Sequence, residues 1–560
     1  MRCIGTGMAL TVILFLALTT RFYPPDFAPF SSADRCALPE VVTRSLVDPW
    51  DWTGDGALKH SLLRAAAFRH GGVNALVTAF FIGAWGGWMG QPLREAHWIF
   101  FQALLGVAAV AVSFVLARRL WGSVPGLAVA LFLALLPGYA GASSFLGPSC
   151  NTNTLLFLLS AWCLLGWRED AAGPHRWRWG TGFGLAAAAY LLDSKLFPCA
   201  GPAWAGVFWL AGTRARQSYW RDLRALLPWL SLPLAAFAFL LILLHFRTGA
   251  LYYILHHATS RVFAPESILL GVTDLMGAAG AIFFLGALAL GARAAVRAHP
   301  EHWTCRVGGL LAWSACYYAP FVLTASTPLY LYHIEGLLPL AFLAAGAFSP
   351  RPGEGRRLAT AFGTAWIVAV LPVTASVMGL VSWRFPTQSY QWTNRNYGQD
   401  CGAKAAGYVI RQHAAEDETV FCFSGLAGIE PFVAAFYLDR EILGLFDGDP
   451  AAFKVYFDLE RQRAQWVVVP QEDFARPGYI DWKGAGFSPT VVLTRDTVPA
   501  LYVLRRGTPG MPVRMEIRAA NQRFDAEYGN LRHLVPHAPE PKHRGLSKPP
   551  PFLKISNNSC

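Results

Sequence analysis

Ionisable and aromatic residues gather at a few points in a sequence that is otherwise poor in charge. Only 15% of the 560 residues are charged and 54% are hydrophobic, whereas a soluble globular protein carries roughly a quarter charged residues. Ionisable groups at membrane depth are costly, which makes them candidates for function. The candidates are Asp34, Arg35, His70, Lys195, Tyr253, His256, His257, Arg261, Tyr332 and His333.

These residue types suit an anionic lipid substrate. Lys195 and Arg261 would hold a phosphate or pyrophosphate, Tyr253 would stack on a sugar ring, and a carboxylate would act as general base on an acceptor hydroxyl. Purely structural roles stay open as alternatives. Tyr253 is also typical of the aromatic belt at the membrane interface, and Lys195 is also typical of a side chain that extends its ammonium group to the membrane surface. The adjacent histidines His256 and His257 lack a matching carboxylate, so no metal site is predicted.

The elements that must position these groups are long apolar segments. A spanning helix needs about 20 mostly apolar residues, and about eleven segments meet or approach that length. The predicted transmembrane segments are 5–21, 96–117, 123–141, 152–167, 180–194, 197–213, 226–245, 268–292, 307–326, 334–348 and 359–382.

The distribution of cations orients these segments. The formal net charge is +12, which in a soluble protein would suggest nucleic acid; here the charges sit in short loops, so we expect no nucleic-acid partner. Alternate loops are arginine-rich, whereas the loops between them hold only Lys195, Arg247 and Arg261. By the positive-inside rule the arginine-rich loops are cytoplasmic, and everything after about Trp383 is external.

The apolar run 72–89 decides where the amino terminus lies. If it spans the membrane, the loop 21–70 is cytoplasmic; if it lies in the interface, that loop is external. The run contains Asn74 and no charge, so hydropathy alone does not choose between these alternatives.

The sequence predicts three parts: a transmembrane domain at 1–383, an external α/β domain at 384–506 and a poorly ordered tail at 507–560. In the α/β domain we predict a helix at 402–413, a helix start at 431–438, and strands at 419–423, 466–469, 490–494 and 501–504. Cys401 and Cys422 are either a disulfide or two free thiols.

The stretch 94–165 resembles the early core of GT-C-type membrane glycosyltransferases, a group that includes protein mannosyltransferases and lipid A aminoarabinose transferases. The resemblance rests on Arg94 opening a helix, on Ala117-Arg118-Arg119-Leu120-Trp121-Gly122, and on Leu135-Leu136-Pro137. Upstream, Asp34-Arg35 and His70-Gly71-Gly72 occupy places where the family has an acidic residue and a histidine element. Lys195 matches a family lysine, and 330–339 resembles a late aromatic and basic segment.

The resemblance implies a polytopic helical membrane protein with an interfacial helix at 72–89 and an external first loop. It implies inverting transfer of a hexosyl or pentosyl group from a polyprenyl-phosphate donor to an external glycan, lipid or protein. Asp34 would deprotonate the acceptor, while Lys195, His256 and Arg261 would hold the donor phosphate. The expected location is the plasma (inner) membrane. No cofactor is identified, and a divalent cation stays an open alternative.

Two other functions compete with this reading. A lipid or polysaccharide transporter also needs many helices and cationic lipid-binding residues, although transporters commonly show repeated halves and mid-bilayer charges, which this sequence lacks. A catalytically degenerate scaffold for envelope assembly also stays open, because Asp34 is followed by Arg35 where the family usually has glutamate.

Overall fold

A computed structural model describes most of the chain. The described residues are 2–22, 72–89, 94–143, 150–170, 173–194, 197–210, 220–231, 234–235, 238, 266–298, 303–323, 333–348, 354–377, 402–423, 437–444, 450–495, 497–507 and 510–530. They divide into two compact units, the first reaching Asp400 and the second beginning at Cys401. The predicted domain boundary at 383 lies outside the described residues and stays a prediction.

The first unit is helical. Its helices are α1 Arg2–Phe22, α2 Gly72–Met89, α3 Glu95–Trp121, α4 Ser123–Leu135, α5 Pro137–Ser143, α6 Cys150–Glu169, α7 Arg176–Asp193, α8 Phe197–Leu210, α9 at 220–231, α10 Glu266–Ala298, α11 Trp303–Leu323, α12 His333–Ala345 and α13 Glu354–Val377. Most of the predicted apolar segments coincide with one of these helices. The segment 226–245 is described as a helix only to residue 231, and beyond that only in fragments.

Four described stretches are long and apolar enough to cross a membrane, namely Gly5–Phe22, Glu95–Trp121, Leu275–Ala294 and Arg357–Ala375. Shorter apolar helices stand at Ser123–Leu135, Cys199–Leu210 and His333–Phe348. The predicted segment 123–141 is two helices, because Leu136 adopts an extended backbone with ψ 109° and Pro137 opens the next helix.

Helices α8 and α11 approach closely through glycines. A Cβ atom on Gly206 would lie 2.5 Å from the Cα of Trp313, and one on Gly309 would lie 2.6 Å from the Cα of Leu210. Small residues allow backbones this near to each other, which maximises van der Waals packing in lipid. The resulting core is rich in large side chains, and Trp313 is fully buried within it.

Helix α10 contains a kink. Gly277 has φ +75° and ψ 158° inside the helix, a backbone conformation that only glycine adopts without steric cost. The kink separates a first segment, which carries Gly271, from the long apolar remainder of the helix.

The second unit is built on a six-stranded sheet. The elements in chain order are α14 Ala403–His413, β1 Val420–Cys422, β2 Ile442–Leu443, α15 Pro450–Glu460, β3 Trp466–Pro470, α16 Gln471–Phe474, β4 Phe487–Arg495, β5 Val498–Arg506, β6 Val513–Glu516 and α17 Ile517–Glu527. The strand order is β2-β1-β3-β5-β4-β6. Strands β1, β2 and β3 are parallel, β5 is antiparallel to β3 and β4, and β6 is parallel to β4.

The predicted helix at 402–413 and all four predicted strands coincide with observed elements of this unit. The predicted helix start at 431–438 lies mostly outside the described residues. The prediction of a poorly ordered tail from residue 507 is wrong for its first part, because β6 adds to the sheet beside β4 and α17 follows it. The Cys422 thiol is free and buried, and Cys401 lies outside the described residues.

Candidate functional site

A buried hydrogen-bond network joins four helices of the first unit. The side-chain oxygen of Asn74 in α2 accepts hydrogen bonds from Gln102 Nε2 in α3 at 3.0 Å and from Thr152 Oγ1 in α6 at 2.9 Å. The backbone N–H of Asn74 donates to Asp193 Oδ1 at the end of α7, at 2.9 Å. All four residues are buried. Because buried polar groups are costly unless paired, this network fixes the four helices relative to one another.

The network borders two predicted substrate contacts. Asp193 stands two residues before Lys195, and Asn74 stands four residues after His70. Both Lys195 and His70 lie outside the described residues, so the structure locates their neighbours in the chain. The bond between Asp193 and Asn74 joins the helix that follows His70 in the chain to the helix that precedes Lys195.

Arg21 lies at the end of α1 and is fully buried. Its Nη2 donates to the Leu133 carbonyl at 2.8 Å, and its Nη1 donates to the Ala17 and Ala134 carbonyls at 3.1 and 3.2 Å. Its guanidinium lies 4.6 Å from the centre of the Tyr139 ring. The last carbonyls of a helix have no partner within that helix, so Arg21 caps the end of α4 from a neighbouring helix.

A second polar cluster surrounds Glu335 in the first turn of α12. Its carboxylate accepts hydrogen bonds from the hydroxyls of Tyr190 at 2.7 Å and Tyr317 at 3.1 Å. The three residues are buried and join α7, α11 and α12. A buried carboxylate needs such donors, and here they hold the three helices together.

Two of the predicted site residues are described. His333 is fully buried; its Nδ1 lies 3.1 Å from the Tyr318 hydroxyl, and its ring packs against Gly271 of α10. Arg94 is exposed and precedes α3, where its backbone N–H donates to His97 Nδ1 at 3.0 Å. The structure does not bring these two side chains together. The others lie outside the described residues: Asp34, Arg35, His70, Lys195, Tyr253, His256, His257, Arg261 and Tyr332.

Within the described part of the chain, no three His, Cys, Asp or Glu side chains come together as a metal site requires. The polar residues of the buried network that were not predicted as site residues are mainly neutral. Asn74, Gln102 and Thr152 interrupt apolar or weakly polar helices, and such interruptions are the signal by which they are recognisable. Their mutual pairing depends on helix packing and has no local signature.

No protein-family model matches the sequence, and a comparison with curated proteins finds none that matches. Solved structures do match. ArnT from Cupriavidus metallidurans in the apo state is similar with a TM-score of 0.54 and 15% identity, over 90% of this chain and 97% of that one. ArnT from the same organism bound to undecaprenyl phosphate gives 0.51 and 16% over the same shares.

The archaeal oligosaccharyltransferase AglB from Archaeoglobus fulgidus, in complex with an inhibitory peptide and a dolichol-phosphate, is similar with a TM-score of 0.52 and 11% identity. That similarity covers 84% of this chain and 70% of AglB. At these identities the likeness is one of fold. The chain shares the fold of ArnT and AglB, in agreement with its sequence resemblance to GT-C-type membrane glycosyltransferases.

Proposed function

We propose that this protein transfers a sugar from a polyprenyl-phosphate donor to an acceptor on the external face of the plasma membrane. The observation that carries the proposal is the hydrogen bond from the Asn74 N–H to Asp193, inside a fold shared with ArnT over 90% of the chain. That bond adjoins the chain positions of His70 and Lys195. The transferred group is a hexosyl or pentosyl unit, and the acceptor is a glycan, lipid or protein.

The reaction assigns a role to each predicted group. The Asp34 carboxylate takes the proton from the acceptor hydroxyl, whose oxygen attacks the anomeric carbon of the sugar. The bond between that carbon and the phosphate oxygen breaks with inversion, and the polyprenyl phosphate leaves with the electron pair. Lys195 and Arg261 stabilise the negative charge that develops on the phosphate.

The remaining predicted residues bind the substrates. Arg35 and His70 belong to the first loop and Arg94 directly precedes α3; we assign these three residues to the acceptor. The others stand in the later loops and at the start of α12, beside the donor: Tyr253, His256, His257, Tyr332 and His333. About eleven transmembrane helices, an interfacial α2 and an external second unit complete the proposed arrangement. A divalent cation is the one cofactor considered for this reaction.

The test uses the purified full-length protein in nanodiscs with short-chain polyprenyl-phosphate glucose, mannose and arabinose as donors and an envelope extract that supplies acceptor glycans, lipids and proteins. Released polyprenyl phosphate is measured by mass spectrometry. Asp34→Asn removes the base, and we expect a loss of roughly 10²–10⁴-fold in rate. Asp26→Asn, in the same loop, is the matched control and keeps the wild-type rate.

Two results would overturn parts of the proposal. Full activity of Asp34→Asn, in a protein with the wild-type elution profile, would remove the base assignment. Absence of transfer from every donor, together with movement of intact lipid across the bilayer, would favour a transporter.

A further inference from the structure

Helices α7 and α9 lie side by side and run in the same direction. At their starts, Arg176 Nη2 lies 3.4 Å from Asp222 Oδ1. Further along both helices, Trp229 of α9 packs against two glycines of α7. A Cβ atom on Gly180 would lie 2.6 Å from Trp229 Cε2, and one on Gly184 would lie 3.0 Å from the Trp229 carbonyl oxygen. Because the contacts advance together along both helices, the two helix starts lie at the same end of the unit.

Both helices begin with the same pair of residue types. Helix α7 opens with Arg176-Trp177-Arg178, and α9 opens with Trp220-Arg221. The exposed fraction is 58% for Trp177 and 57% for Trp220, although tryptophan is usually well buried in a folded protein. Exposed tryptophan is typical of the membrane interface, where the ring lies at the level of the lipid headgroups.

Three arginines at these helix starts are exposed, namely Arg178, Arg221 and Arg224. Among the described residues, none of the three forms an ion pair. The Arg178 guanidinium lies 5.5 Å from the centre of the neighbouring Trp177 ring. Cation and ring therefore present one amphipathic surface, apolar at the ring and positive beside it.

The described carboxylates near this surface are engaged elsewhere or turned inwards. Asp222 is buried and pairs with Arg176. Glu169, in the turn before α7, pairs with Arg119 at 2.6 Å, and one carboxylate oxygen of Asp170 is buried. The exposed guanidinium groups are therefore left to attract an anion from outside the protein.

We propose that the starts of α7 and α9 bind the headgroup of an anionic phospholipid in the cytoplasmic leaflet. The positive-inside rule predicts that this end of the two helices is cytoplasmic. Trp177 and Trp220 lie at headgroup level, and Arg178, Arg221 and Arg224 reach the lipid phosphate, which a guanidinium binds through two oxygens. Basic clusters beside transmembrane helices attract anionic lipids in this way. The inference goes beyond the proposed function and does not depend on sugar transfer.

The experiment measures lipid binding to the purified full-length protein in detergent by native mass spectrometry. The probes are phosphatidylglycerol and phosphatidylcholine with identical acyl chains; both carry a phosphate, but only the first has a net negative charge. In the double variant Arg178→Gln/Arg221→Gln we expect the Kd for phosphatidylglycerol to rise about tenfold. The Kd for phosphatidylcholine should stay at its wild-type value.

Two further double variants separate position from charge. Arg293→Gln/Arg357→Gln is the matched control. Arg293 lies near the end of α10 and Arg357 in the first turn of α13, both are exposed, and neither adjoins a tryptophan in the sequence. The control loses the same charge and keeps the wild-type Kd. Arg178→Lys/Arg221→Lys keeps the charge but lacks the planar fork, so its Kd falls between the wild type and the glutamine variant.

Each outcome decides the inference. Weaker binding of phosphatidylglycerol in the Arg178→Gln/Arg221→Gln variant alone, with the wild-type elution profile, supports the site. An equal loss in the Arg293→Gln/Arg357→Gln control would show that overall charge attracts the lipid and would overturn the inference. An unchanged Kd in the Arg178→Gln/Arg221→Gln variant would also overturn it, as would equal wild-type affinity for the two lipids.

Discussion

The Asp193 carboxylate accepts a hydrogen bond from the backbone N–H of Asn74, with the two atoms 2.9 Å apart. The bond caps the first turn of α2 with a carboxylate, which also suits the positive end of that helix. It links the end of α7 to a helix that begins about a hundred residues earlier. One buried contact therefore joins the helix that follows His70 to the helix that precedes Lys195.

Breaking that contact should weaken both the fold and donor binding. Asp193→Ala leaves a buried N–H without its acceptor, so we expect a loss of about 1–3 kcal/mol in the free energy of unfolding. The KM for the donor rises because Lys195 loses its fixed neighbour. The measurements are unfolding by titration with a denaturing detergent and initial transfer rates. Asp193→Asn, which keeps an acceptor oxygen, is the control, and an equal loss in both variants would contradict the cap.

Close helix packing gives a second prediction. Gly206→Ala forces the α11 backbone away from α8, and overpacking of this kind costs about 1–3 kcal/mol. Gly201→Ala lies in the same helix, where an added Cβ meets nothing within 4 Å. We expect that control to change the free energy of unfolding by less than about 1 kcal/mol. Equal stability of the two variants would contradict the close approach of α8 and α11.

Glu418 gives the second unit a pH-dependent contact. Burial alone would raise the pKa of its carboxyl, but hydrogen bonds from Trp466 Nε1 at 2.7 Å and from the Ala415 N–H at 2.9 Å, with Arg505 nearby, lower that pKa below its ordinary value. A lowered pKa in the folded state means that the stabilisation is present above the unfolded pKa of about 4.3 and is lost as the pH falls through the folded value.

Hydrogen exchange of the full-length protein checks this contact. Peptides covering residues 415–422 should be more protected in the wild type than in Glu418→Gln at pH 7, and the difference should shrink as the pH falls below about 4. Glu416→Gln is the control, since Glu416 is exposed. A difference that is independent of pH would contradict the role of the ionised carboxylate.

Membrane orientation gives a fourth prediction. Reporter fusions after Gly90 and after Trp383 should both show an external location, because the arginine-rich loops are expected inside. An alkaline phosphatase fusion is active only outside, and a green fluorescent protein fusion is fluorescent only inside. A cytoplasmic location of the second unit would remove the proposed orientation.

Apolar length predicted the helices well because spanning segments must satisfy their backbone internally. Their breaks were less predictable: the split at Leu136 depends on one extended residue before Pro137. The abundance of proline, arginine, histidine and asparagine after residue 507 indicated disorder, whereas β6 is held there by pairing with β4. Such pairing is a tertiary effect that local composition does not reveal.

The charged residues of the proposed site were selected from the sequence and their roles stay predictions, whereas the buried network beside them was not predicted. Lys195 and His333 stand out because ionisable side chains are rare in apolar segments. Asn74 and Asp193 become partners only when α2 and α7 pack together, and no spacing in the sequence indicates that pair. The position of Arg21 at the end of an apolar run does not reveal that its side chain lies fully inside the fold.

Comparative mass spectrometry of envelope glycans and lipids, from cells with and without the gene, tests sugar transfer most directly. The account predicts that one sugar-modified species disappears on deletion, that its polyprenyl-phosphate sugar donor accumulates, and that the wild-type gene but not Asp34→Asn restores both. Identical glycan and lipid profiles in the two strains, or restoration by Asp34→Asn, would contradict it.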